Sequence, residues 1–172
     1  MRQIEILTKQ TANTYEWVNK LIHSIPYKQW ENTPAIIESN ISWQVGHLLI
    51  SFYYHSIMVI VGNQKDVQPS IPLKEYSSLY TDASPASSLA KVNPEVLHKH
   101  VLFIQQKSLQ ILESLSDMDL QKNLEPTPYP HPIAKNKLEA IEWNIHHTMY
   151  HCGQIGIIRR VIDKRFDFGL RG

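Results

Sequence analysis

The sequence predicts an all-α fold, one helical bundle over residues 1–172, and three observations carry that expectation. Apolar residues return at helical spacing in four separate long stretches. Three of these stretches follow an asparagine able to cap a helix: Asn40, Asn93 and Asn136. The stretch from Asn40 to Asn63 contains no Asp, Glu, Lys or Arg, as expected of a helix buried on several sides by neighbours. A chain of 172 residues can bury a sufficient core without disulfides.

The first helix runs from about Gln3 to Ile25, with Ile4, Leu7, Ala12, Tyr15, Val18, Leu21, Ile22 and Ile25 on its inner face. Pro26 ends it, and Tyr27-Lys28-Gln29-Trp30 packs across its end before the Asn32-Thr33-Pro34 loop. Ser39 or Asn40 caps the second helix, which reaches Val61 and stops at Gly62-Asn63. This helix is long enough to span a bilayer. Ser42, Gln44, His47, Ser51, His55 and Ser56 recur through it, however, and no basic cluster flanks it, so a buried helix is expected and no membrane contact.

The next stretch, to Asn93, is rich in Pro, Ser and Asp, with a short helix around Leu73 to Tyr80. So long a connection either runs the length of the bundle, leaving helices two and three parallel, or folds as a flap over one end. Asn93-Pro94-Glu95 opens the third helix, whose inner stripe is Leu97, Val101, Ile104, Ser108, Ile111, Leu112 and Leu115. Asp117 to Lys122 forms a further turn, and Pro126, Pro128, Pro130 and Pro132 keep the chain extended to about Ala134. Asn136 caps the fourth helix, with a seam of Leu138, Ile141, Ile145, Thr148, Cys152, Ile155 and Ile162. Gly153 and Gly156 each weaken a helix by about 1 kcal/mol, so a close helix crossing is expected there in compensation. The tail from Phe166 to Leu170 is irregular.

The formal net charge is +1 and no basic run exceeds two residues, so the footprint of a nucleic-acid-binding protein is missing and a small-molecule ligand is expected. The one cysteine, Cys152, excludes an intramolecular disulfide, and the residues after Met1 carry no apolar leader. Both point to the cytoplasm.

Chemistry concentrates in Glu142 to Ile155, where His146, His147 and His151 fall within six positions. His147 and His151 lie about 40° apart, one turn above the other, whereas His146 is rotated by about 100°. Two such imidazoles can share a metal ion. An imidazole in a buried, uncharged helix needs a partner, which makes His47 of helix two the best third ligand. His55 lies about 80° from His47 and cannot easily face the same ion, while Ser51 and Tyr54 lie near the His47 direction. Asn144 and Gln154, one turn from the histidine pair, are placed to orient a ligand imidazole or touch substrate. His23, His98, His100 and His131 are read as surface or ordinary hydrogen-bonding residues, Cys152 as a small buried apolar residue, and Trp43, Tyr53, Tyr54, Trp143 and Tyr150 as packing. Three neutral ligands leave the ion its full charge to activate whatever takes the fourth position.

Ile41-Ser42-Trp43-Gln44-Val45-Gly46-His47-Leu48 and His147-Thr148-Met149-Tyr150-His151-Cys152-Gly153-Gln154-Ile155 together resemble the DinB/YfiT-like superfamily of metalloenzymes. The specific part is the pairing of Trp-x2-Gly-His with His-x3-His-x-Gly-Gln-Ile. The resemblance covers nearly the whole chain. It implies a four-helix bundle with a long crossover between helices two and three, and a divalent metal, zinc or nickel, on His47, His147 and His151. Cys152 stands where members often carry arginine, so any contact made by that arginine is not carried over. The resemblance also implies a homodimer and a metal-dependent enzyme, either a hydrolase or a thiol S-transferase using a low-molecular-weight thiol. Its nucleophile would be metal-bound water or a substrate thiol. The alternative is a non-catalytic metal-binding or stress-response bundle, which a closed site of four protein ligands would mark.

Overall fold

In the computed structural model, which describes residues 2–169, the chain forms α1 (Gln3–His23), α2 (Ile41–Val61), a short α3 (Leu73–Ser77), α4 (Pro94–Glu113), a one-turn α5 (Asp117–Leu120) and α6 (Lys137–Ile162). Leu170, at the end of the tail expected to be irregular, lies outside the described residues. The predicted asparagines cap the helices they precede. Asn40 Oδ1 accepts from the Trp43 amide at 2.8 Å, Asn93 Oδ1 from Glu95 at 2.8 Å, and Asn136 Oδ1 from Glu139 at 2.9 Å. No such residue precedes α1. Its free amides at Gln3 and Ile4 donate instead to the Asp117 carboxylate, at 3.1 and 2.8 Å, from 113 or more positions away.

α1, α2, α4 and α6 make the four-helix bundle, in which α1 and α2 each pack against both α4 and α6. Arg159 near the end of α6 donates to the carbonyls of Lys20 and Leu21 near the end of α1, so these two helices run parallel. α2 and α4 are also parallel. Their starts are linked through Trp30, whose carbonyl accepts from Ser42, and through Tyr27, which bonds His98; beyond the end of α2, Asp66 pairs with Lys107. The connector between them therefore travels back along the bundle, as a crossover requires. On its way α3 and the wider turn at Ser78–Asp82 bury Tyr76 and Tyr80 against α2, so the crossover also forms a wall over that helix.

α2 is the most apolar helix and the best covered, with 72% of its most apolar window buried. It is continuous but irregular: Tyr54–Met58 forms a π turn. π residues turn less than α residues, so the side chains beyond Tyr53 rotate off their α-helical positions.

One buried polar group comes from each bundle helix. The Tyr15 hydroxyl of α1 meets Ser56 of α2 at 3.3 Å, Ser108 of α4 at 2.9 Å and the Asn144 amide of α6 at 3.2 Å. A buried polar group left without its partner costs about 1–3 kcal/mol, so the cluster opposes any slip of one helix along another. Asn144, expected to orient a ligand histidine, serves this cluster instead. One turn up from the histidines the space opposite α6 is filled by Tyr15.

The glycines behave differently from expectation. A Cβ on Gly153 or Gly156 would have nothing within 4 Å, so no helix crosses closely there. The close approach is at Gly46, where a Cβ would sit 2.3 Å from the Tyr80 ring. That contact is made by the crossover, which sequence spacing does not locate. Gly46→Ala should therefore lower stability by roughly 1–3 kcal/mol, whereas Gly153→Ala should raise it by up to about 1 kcal/mol. Thermal or urea unfolding of the two variants checks the opposite signs.

Candidate metal centre

Gly46 lets the crossover close on α2, and the next residue, His47, uses that closeness. Its Nδ1 lies 2.8 Å from the Tyr80 carbonyl oxygen. A carbonyl only accepts, so Nδ1 carries the proton and Nε2 presents a lone pair. His151 is held in the same way. Its Nδ1 donates to Gln44 Oε1 at 2.6 Å, while Gln44 Nε2 donates to Ser39 Oγ and Gln154 Oε1, both at 2.8 Å. With both amide hydrogens taken, Gln44 must turn its oxygen to His151.

The three Nε2 atoms then converge. His147 Nε2 lies 3.1 Å from His151 Nε2 and 3.4 Å from His47 Nε2. For a tetrahedral ion with nitrogen ligands at 2.0–2.1 Å the ligand–ligand edge is about 3.3 Å, so the spacing fits. Three neutral rings at this distance can place a proton between only one pair of nitrogens; a cation satisfies all three. Among the described residues the group consists of these three donors and no fourth. His47 stacks on Trp43 with ring centres 5.0 Å apart, and His147 on Trp143 at 5.8 Å. Trp43 is held in turn by its indole N–H on the Ala83 carbonyl, at 3.2 Å.

Burial sets the protonation state. It pushes His151 down to about 3, helped by the like charge that His47 and His147 would carry, and His147 down to about 4, helped by His47. Burial also lowers His47, against the opposing hydrogen bond to Tyr80. All three are thus neutral near pH 7, the form that binds metal. Cys152 is buried and its thiol is pushed up to about 12, so it stays protonated.

His146 is exposed and lines a groove with Glu142, Ile145 and Met149, turned away from the cluster as its rotation requires. Ser51 is buried and makes no hydrogen bond to the three rings. Tyr54 donates to the Tyr129 carbonyl at 3.1 Å and stacks on His131 at 5.6 Å. Gln154 supports His151 through Gln44. Sequence reasoning passed over Gln44 itself, although a buried amide three residues before His47 demands partners as much as an imidazole does. The Tyr80 carbonyl left no comparable signal, since any residue carries one.

The family model of the DinB superfamily matches residues 10–155. The chain belongs to the DinB superfamily. A solved structure described as "Crystal structure of the conserved protein of locus from Enterococcus faecalis" is similar to this DinB-superfamily chain with a TM-score of 0.69 and 11% identity, covering 94% of this chain and 98% of its own. At that identity the likeness speaks for the fold alone. No curated protein matches the chain.

The buried rings make the stability of this DinB-superfamily protein pH-dependent. Below about pH 6.5 the unfolded chain takes up protons that the folded histidines refuse until about 3 or 4, so the contribution is complete above about 6.5 and is lost as pH falls. Unfolding of metal-free protein at pH 7.5 and 5 should show the loss, on the order of 1 kcal/mol from buried His151 alone. A His151→Gln variant should show a shallower slope.

Proposed function

We propose that His47, His147 and His151 hold a divalent ion, zinc or nickel, and that the protein is a metal-dependent enzyme acting on a small molecule, as a hydrolase or a thiol S-transferase. The observation that carries this reading is the convergence of three Nε2 lone pairs at 3.1 and 3.4 Å, with two of the rings pinned from behind by acceptors. Structural zinc sites close with four protein ligands, whereas this group supplies three neutral ones. An ion so held supplies Lewis acidity toward water, a thiol or a carbonyl at its remaining position.

The chain's own residues do the rest. Gln44 and the Tyr80 carbonyl keep the imidazoles aimed and in the metal-binding tautomer. Trp43 and Trp143 wall two of the rings. The choice between hydrolysis and thiol transfer turns on whether turnover requires an added low-molecular-weight thiol.

Metal content of purified protein and calorimetric titration with zinc and nickel test the site. His47→Ala and His147→Ala should each abolish most binding, while His146→Ala should leave it intact; equal loss from all three would contradict the geometry. Gln44→Ala should weaken metal affinity by roughly 10- to 100-fold, the usual effect of losing the partner that orients a ligand.

A further inference from the structure

Beside the cluster stand two histidines that the ion does not require. His131 lies in the Pro-rich loop, and its Nδ1 accepts from the backbone amides of Ile133 at 3.2 Å and Ala134 at 2.8 Å. An amide only donates, so that nitrogen is unprotonated and the neutral ring carries its hydrogen on Nε2. His131 Nε2 in turn faces His55 Nδ1 at 2.8 Å. His55 Nδ1 must accept, which leaves the hydrogen of His55 on its own Nε2.

The pair is thus directed from the loop amides through His131 to His55. The outward donor, His55 Nε2–H, meets no acceptor among the described residues, and although the residue is only 7% exposed that nitrogen is not sealed from solvent. Its ring centre lies 5.8 Å from that of His147 in the cluster. On a regular helix His55 would stand about 80° from His47; the π turn at Tyr54–Met58 alters that angle. Stacking of Tyr54 on His131, together with the bond from the Tyr54 hydroxyl to Tyr129, holds the loop in place. A second metal ion between His55 and His131 explains the pair less well. Their nitrogens are closer than the ligand edge of about 3.3 Å, and a donor and an acceptor already match.

We propose that His55 contacts the substrate: its Nε2–H donates a hydrogen bond to an oxygen, carbonyl or carboxylate, of a molecule seated against the three-histidine cluster, and His131 is the positioning residue that sets its tautomer. This rests on the cluster holding an ion. It assigns the substrate an oxygen acceptor within reach of the ion.

Two measurements on the full chain test it. Long-range proton–nitrogen spectra of the metal-free protein should show both His55 and His131 as Nε2–H tautomers, and His131→Ala should release His55 into a tautomer mixture. Acetate binding to the cobalt-loaded protein, followed by visible absorption, should weaken roughly 10-fold or more in His55→Phe, with cobalt uptake unchanged. His55→Gln, whose amide N–H can take the place of the ring Nε2–H, should retain most of the affinity. Unchanged cobalt uptake shows that a variant has folded. A His55 found in the Nδ1–H form, or acetate binding in His55→Phe equal to wild type, would overturn the proposal. Wild-type protein that takes up no cobalt would overturn it together with the cluster reading, and the tautomer spectra would then show that the ion, not the histidine pair, is at fault.

Discussion

The molecule depends on two hydrogen bonds made behind the rings, His47 to the Tyr80 carbonyl and His151 to Gln44. Imidazoles are free to flip and to exchange tautomers unless one nitrogen is committed. Committing Nδ1 on both rings turns both Nε2 lone pairs toward one point. Each acceptor needs its own support: Gln44 is fixed by Ser39 and Gln154, and Tyr80 by the packing of the crossover on α2.

That dependence gives the crossover a role beyond joining parallel helices. It delivers a backbone carbonyl to a buried histidine, and Gly46 is the residue that allows the approach, because any side chain there would occupy the space of the Tyr80 ring. Fold and site therefore share one contact. A connector that merely spanned the distance would leave the His47 ring unpinned.

The bundle interior sets the other condition, the register of α2 against α6. His47 meets His147 and His151 only if these helices keep their relative height. The Tyr15–Ser56–Ser108–Asn144 cluster opposes sliding, because a shift by one turn would strand several buried polar atoms at once. Toward the other end of α6, Arg159 ties this helix to the terminal carbonyls of α1, the helix end at which a cation is favoured.

Whatever depends on residues a few positions apart was readable from the chain itself. The four long helices, the asparagine caps of three of them, the pairing of His147 with His151 and the turning away of His146 all follow from 3.6-residue periodicity and local capping. His47 was legible too, because a buried imidazole in an uncharged helix demands a partner. Tertiary structure alone decided the path of the crossover, the Tyr80 carbonyl behind His47, the placing of Asn144 on Tyr15, and the meeting of His55 with His131. It also moved the tight approach from Gly153 and Gly156 to Gly46. The reason is common to all of these: each joins groups 33 to 129 positions apart, and no local periodicity specifies which backbone carbonyl or ring will fill the space opposite a given side chain.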